Sequence, residues 1–195
     1  MMRYISVDFE TTGLDPNKNQ VLEIAAVVAG GTFDDWPVKE LPFFHSRVEH
    51  DFVTGNPIAM SMNADLLAKI AMREGTRPPL QVAYEFKNFL MLFADTYKQP
   101  KPRVNGAGKN FASFDLQFLR RFAPDAAKLF HHRCFDPAML FIEPGDIVLP
   151  DMETCLKRAG LPSEIKHEAL EDARNVVRLI RIGMARLPQA PSHSA

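Results

Sequence analysis

Arg3-Tyr4-Ile5-Ser6-Val7-Asp8-Phe9-Glu10-Thr11-Thr12-Gly13-Leu14 alternates apolar with polar side chains and then breaks into a turn, the pattern of a half-buried β-strand. Side chains two apart on an extended segment point the same way, so Tyr4, Ser6, Asp8 and Glu10 share one face while Ile5, Val7 and Phe9 share the other. The second set is core. The first ends in two like charges about 6 to 7 Å apart along the strand, and adjacent anions repel unless a cation lies between them. The Thr11-Thr12-Gly13-Leu14-Asp15-Pro16 run that follows has turn chemistry, which sets the pair at the mouth of a strand. For an isolated Asp-x-Glu, a solvated strand end is the commoner explanation.

Two helices add to the pair. Asn110 is a good N-cap before a helix whose apolar residues recur at Phe111, Phe114, Phe118, Leu119 and Phe122. Asp115 falls inside that stripe and points the way the helix buries itself. Burying an ionised carboxylate costs several kcal/mol without a partner or metal; a salt bridge to Arg120 or Arg121 is the plainer alternative. In the final helix, Ala169, Ala173, Val176, Val177, Ile180 and Met184 define the buried stripe. Asp172 borders it, whereas Glu171 faces the opposite way with Arg174, Asn175 and Arg178, where surface pairing accounts for it. His167 precedes Asp172 by five residues, which on a regular helix would point them roughly 140° apart. It is therefore expected at or just before the helix start, ordinarily a surface position.

The order Asp8/Glu10, then Asp115, then His167 and Asp172 resembles the DEDDh, or DnaQ-like, 3′-to-5′ exonuclease superfamily, including small members such as oligoribonuclease, ribonuclease T and proofreading subunits. The likeness extends beyond the acids, to Asp-Phe-Glu-Thr-Thr-Gly-Leu at 8 to 14, the apolar strand with an embedded Glu at Val21 to Ala29, Phe-Asp-Leu-x-Phe-Leu at 114 to 119, and His-x-Ala-x-x-Asp-Ala at 167 to 173. Family members often carry His-Asn with the acid four residues after the Asn; here Lys109 precedes Asn110 and the acid follows five later. Nor is Gly106-Ala107-Gly108-Lys109-Asn110 a phosphate loop, since Asn110 stands where Ser or Thr is needed.

The chain has 195 residues, 46% hydrophobic and 24% charged, as expected of one domain over residues 1–187 with a disordered tail at 188–195. A net charge of −1 provides no global basic field for holding long nucleic acid, which favours short or single-stranded substrates. Cys134 and Cys155 fit no disulfide or zinc spacing and read as free thiols. No signal peptide or membrane-length apolar run occurs, so the cytoplasm is the expected location, with no membrane partner.

Strands are expected at Arg3 to Phe9, Val21 to Ala29, Phe43 to Glu49, Arg103 to Asn105 and Arg133 to Phe135. Helices are expected near Ala64 to Met72, Leu80 to Tyr97, after Asn110, from Asp151 to Ala159 (stopped by Gly160-Leu161-Pro162), and at the end of the chain. That order predicts an α/β protein with a mixed central sheet of about five strands covered by helices. The resemblance specifies it as a ribonuclease H-like fold.

Four carboxylates suit two divalent ions about 3.5 to 4 Å apart, which together activate a nucleophile, neutralise the phosphate and support the leaving oxygen. Oxygen ligands favour Mg²⁺ or Mn²⁺. Asp8 is expected to bridge both ions, Glu10, Asp115 and Asp172 to complete their shells, and His167, with an unperturbed pKa of about 6.5, to take the proton of the attacking water. Lys166 could steady phosphate or be a solvated surface residue. The resemblance implies attack at the 3′ end and release of nucleoside 5′-monophosphates, with Leu14 wedged against the terminal base and Thr11 and Thr12 near the terminal sugar; a turn leucine covering the core is the alternative. Met62, in Met60-Ser61-Met62-Asn63, could pack a base without reading it, although helix capping by Ser61 or Asn63 explains the segment as well.

Glu23 fits either a supporting group or a sheet-rim carboxylate, His131 and His132 a solvated loop, Asp136 a turn or helix start, and Trp36 a loop. A homodimer or a polymerase partner is compatible with the resemblance. Two other functions remain open at this point. One is a haloacid dehalogenase-type metal phosphatase with Asp8 as nucleophile, which the Glu at the second acidic position counts against. The other is a nucleic-acid-binding or polymerase-associated proofreading subunit.

Overall fold

The β-forming run Tyr4–Thr11 is strand β1, and a computed structural model describes it together with the rest of residues 2–95, 101–163 and 168–188. It pairs antiparallel with β2 (Val21–Ala29), Tyr4 opposite Ala29 and Glu10 opposite Glu23, with a bulge between Glu10 and Thr11. β3 (Phe43–Val48) adds antiparallel to β2, and the two-residue β4 (Thr76–Arg77) adds parallel to β3. On the other side of β1, β5 (Val104–Ala107) and β6 (Phe130–Phe135) run parallel to it. The sheet order is β4-β3-β2-β1-β5-β6, so β1 lies inside the sheet with its C-terminal end open to whatever the helices bring there.

The two faces are covered differently. Ile5, Val7 and Phe9 of β1 face α3 (Pro79–Phe93), α4 (Asp115–Phe122) and α5 (Pro124–Ala127) in one core, with Phe86, Phe111, Phe118 and Phe130. Tyr4, Ala25, Val27 and Ala29 face α7 (Ala169–Arg186), which presents Ala169, Ala173, Val176, Val177 and Ile180. The face of β1 that carries Asp8 and Glu10 is thus the face beneath α7. α6 (Met152–Ala159) packs against α7 through Cys155, Leu156 and Leu179; Asp151 accepts Thr154 N–H at 2.8 Å to start it, and Gly160, at φ 75°, ends it. Two short helices, α1 (Pro57–Met62) and α2 (Ala64–Ala71), lie beside β2, with Leu66 and Ile70 against Leu22.

Several boundaries differ from the sequence reading. Among the described residues the sheet has six strands, because Thr76 and Arg77 pair with β3 through backbone alone. β6 starts at Phe130 and takes in His131 and His132, expected in a loop. It is an edge strand, where polar side chains are tolerated on the open side. α3 ends at Phe93; Tyr97, to which it was expected to run, lies outside the described residues, as do residues 189–195 of the expected tail. Asn110 does not cap α4. It has φ 61°, its side chain accepts from Lys109 Nζ at 2.9 Å, and α4 begins only at Asp115 after a turn of backbone bonds onto the Asn110 carbonyl. The extra residue between Asn110 and the acid is taken up in that turn.

Candidate active site

Three separate elements deliver the acids. Asp8 and Glu10 follow from strand alternation at the end of β1; Asp172 follows from the first turn of α7, where the helix N-terminus favours an anion. One carboxylate oxygen from each of these three residues lies within 4.8 Å of the others. Asp115, at the first residue of α4, reaches the same strand from the opposite face, its Oδ1 accepting Phe9 N–H at 3.0 Å. The salt-bridge alternative for Asp115 does not hold: Arg120 turns to Gln117 at 3.0 Å and Arg121 to Asn17 at 2.7 Å. Glu171 pairs with Arg178 at 2.6 Å and with Arg174 at 3.7 Å, as the helical angle predicted. His167 and Lys166 lie outside the described residues.

Among the described residues, no cation pairs with this buried set. Glu10, Asp115 and Asp172 are 9%, 2% and 8% exposed. Burial, then Asp115, Asp172, Glu10 and Glu23 as neighbouring anions, push the Asp8 carboxyl well above the usual carboxylate range. Glu10 is pushed up to about 7 by burial and Asp172, against a lowering hydrogen bond from Asn63. Asp115 rises to about 8, chiefly by burial, although its own N–H and that of Phe9 pull it down. Burial raises Asp172 to about 6, with Asn175 opposing and Glu171 and Glu168 adding to the rise. A cluster of hard oxygen donors that cannot all ionise unaided is the chemistry a divalent cation satisfies.

Three residues that support this cluster carry no signal in the sequence. Asn63 is buried at the α1–α2 junction, its Nδ2 donates to Thr11 O at 3.4 Å and Ala59 O at 3.3 Å, and it acts to lower the Glu10 carboxyl. It is placed there by Asn56, whose N–H donates to Thr12 O at 2.7 Å, and by Gly55, where a Cβ would lie 2.3 Å from the same oxygen. The other two are His45 and Arg47 of β3, which engage Glu23. No local pattern marks any of them, because each acts on a strand distant in sequence.

The residues expected to meet substrate divide. Leu14 is 83% exposed and Met62 54% exposed, so Leu14 does not serve to cover the core. Thr11 and Thr12 are buried and their hydroxyls are committed to the turn. Thr11 Oγ1 donates to Gly13 O at 2.8 Å and Thr12 Oγ1 accepts Gln20 N–H at 2.9 Å. These hydroxyls hold the loop that presents Leu14. Asp136 starts the turn at Pro137–Leu140 by accepting Ala138 N–H at 2.9 Å, and Trp36 packs edge-on against Phe33.

The sequence profile of the RNase T exonuclease family matches residues 5–180. The chain belongs to that exonuclease family. It is a hydrolase of the 3′-to-5′ exonuclease class, and the phosphatase alternative falls with that assignment. Among similar proteins are the oligoribonucleases of Idiomarina loihiensis, 24% identical over 90% of this chain and 88% of that protein, and of Halorhodospira halophila, 25% identical over 91% and 90%. That of Baumannia cicadellinicola is 28% identical over 89% of this chain and 87% of its own. The fold of this exonuclease is shared with E. coli exonuclease I in a zinc-bound single-stranded DNA complex, at 17% identity and a TM-score of 0.66 over 95% of this chain. Exonuclease I of Methylocaldum szegediense gives 15% and 0.66 over 97%. The chain spans about two fifths of those exonuclease I chains, 41% and 42%. Exonucleases of this family are metal-dependent, and the acidic cluster offers a place for the metal. Among the described residues, no helix is long and apolar enough to cross a membrane.

Proposed function

We propose that this exonuclease removes nucleoside 5′-monophosphates from the 3′ ends of short or single-stranded nucleic acid, using Asp8, Glu10, Asp115 and Asp172 to hold two divalent cations, Mg²⁺ or Mn²⁺. The observation that carries the reading is the convergence of Asp8, Glu10 and Asp172 within 4.8 Å, from elements more than 150 residues apart. When bound, such a pair of ions activates water, neutralises the phosphate and supports the departing oxygen. The chain's own part is to hold the ligands and the substrate. Phe9 N–H fixes the Asp115 carboxylate, Asn63 favours the ionised form of Glu10, and the turn at Thr11 to Gly13 presents Leu14; the exposed apolar side chains of Leu14 and Met62 suit a terminal base. His167, by family resemblance, takes the proton of the attacking water.

The oligoribonucleases similar to this chain favour short RNA as substrate, and the single-stranded DNA bound by E. coli exonuclease I supports an unpaired 3′ end. The free thiols of Cys134 and Cys155 are in keeping with the cytoplasm. The test is a product ladder from 5′-labelled single-stranded RNA and DNA of several lengths, with Mg²⁺, Mn²⁺ or chelator. Stepwise shortening from the 3′ end, abolished by chelator, is expected. Internal cuts, shortening of the labelled end, or undiminished cleavage in chelator would refute the reading.

A further inference from the structure

Glu23 is 4% exposed and stands opposite Glu10 in the β1–β2 register, one more anion beside an already crowded acidic cluster. Its two oxygens are used for different purposes. Oε1 lies 2.8 Å from His45 Nε2 and 3.4 Å from Arg47 Nε, both on β3. Oε2 accepts the backbone N–H of Ala169 at 3.2 Å, across 146 residues. Ala169 is the first residue of α7, and Glu168, the residue before it, makes no side-chain cap. A helix start leaves its first N–H groups without partners; here a carboxylate from the sheet takes the role of the missing cap. Burial acts to raise the Glu23 carboxyl, but His45, the Ala169 amide and Arg47 outweigh it and hold the group below its ordinary range.

We propose that Glu23 is a positioning residue of the acidic site, fixing the first turn of α7, and with it Asp172, against the strand pair that carries Asp8 and Glu10. This rests on the reading of those carboxylates as a metal centre. Asp172 lies three residues after Ala169, on the same turn, and its own N–H donates to Glu168 O at 3.0 Å. A small slide or rotation of the helix start therefore carries its carboxylate away from Asp8 and Glu10. Among the described residues, the other contacts between α7 and the sheet include apolar packing through Ala169, Ala173, Val176 and Val177, which resists separation more than sliding, and the Arg174 guanidinium over the Phe43 ring of β3, one turn beyond the helix start. The Glu23 to Ala169 bond is directional. A cap with no charge would serve the helix as well; a charged one, anchored by Arg47 and His45, also ties the helix start to β3. Residues that orient metal ligands typically alter affinity or activity by about 10- to 100-fold when removed.

The experiment compares wild type, Glu23→Ala, Glu23→Gln and Glu23→Asp in Mn²⁺ titration without substrate, in hydrogen exchange of the Ala169 amide without metal, and in steady-state turnover. Glu23→Ala is expected to weaken Mn²⁺ binding by about 10- to 100-fold and to expose the Ala169 amide, with kcat falling and KM for substrate little changed. Glu23→Gln keeps an acceptor for the amide and is expected to restore its protection and most of the affinity. Glu23→Asp, one methylene too short to reach both partners, is expected to resemble Glu23→Ala and serves in its place if the alanine variant does not fold. Wild-type Mn²⁺ affinity in a folded Glu23→Ala or Glu23→Asp protein would overturn the proposal, leaving only a structural ion pair. Absence of Mn²⁺ binding by the wild type would overturn the metal-centre reading itself, and this proposal with it.

Discussion

The two faces of the sheet are built for opposite ends. Beneath α3, α4 and α5 the packing is rich in aromatic rings, with Phe9, Phe86, Phe111, Phe118 and Phe130 in one cluster. Beneath α7 the alanines Ala25, Ala29, Ala107, Ala169 and Ala173 stand among Tyr4, Val27, Val176, Val177 and Ile180, and the first turn of the helix brings Asp172 to the acids of β1. One face supplies burial. The other gives up part of that gain to gather anions, and the difference shows how a single strand, β1, can anchor a core with Ile5, Val7 and Phe9 and carry an acidic cluster with Asp8 and Glu10.

The contrast breaks most sharply at Asp8. Asp8→Asn is expected to abolish metal-dependent mononucleotide release while the circular dichroism spectrum stays that of the wild type; retained turnover would remove Asp8 from the mechanism. His167→Ala should still bind Mn²⁺ but hydrolyse about 10² to 10⁴ times more slowly, the scale for losing a general base, and a wild-type rate would refute that role. On the aromatic face the expectation reverses. Phe86→Ala should cost about 3 to 5 kcal/mol in urea unfolding, because Phe86 is fully buried against Phe44, yet leave turnover per folded molecule unchanged at low temperature.

A smaller effect sharpens the comparison through pH. A carboxyl whose pKa rises on folding holds its proton more tightly in the folded state, so it favours folding at low pH and loses that contribution as pH rises from its unfolded value, about 4, through its folded one. With Glu10 near 7, Asp115 near 8 and Asp172 near 6, metal-free protein should lose stability between about pH 4 and pH 8. Asp172→Asn should flatten that loss and stabilise the chelated protein at pH 8 by on the order of 1 kcal/mol, while Mg²⁺ should raise the melting temperature of wild type more than that of the variant. Equal slopes with pH in the two proteins would show that Asp172 carries no such strain.

What the sequence revealed follows the same division. Periodicity of two in β1 and of 3.6 in α7 separated Asp8 and Glu10 from the core set and Asp172 from Glu171, since both depend only on local geometry. Asp115 was visible as a charge within an apolar stripe. Asn63, His45 and Arg47 were not, because their partners lie on other strands and helices, and nothing near them in sequence records the contact. The two-residue β4 and the histidines in β6 were also hidden: backbone pairing at a sheet edge places little demand on side chains. Asn110 misled because a good capping residue also suits a left-handed turn, and at φ 61° the turn won.

The proposed metal centre joins carboxylates from β1, α4 and α7 around a pair of ions. Anomalous diffraction from crystals grown with Mn²⁺ would locate those ions. Two peaks about 3.5 to 4 Å apart, bounded by Asp8, Glu10, Asp115 and Asp172, are expected; a map with no peak among those four side chains, from protein that still degrades nucleic acid in the same Mn²⁺ buffer, would rule the centre out.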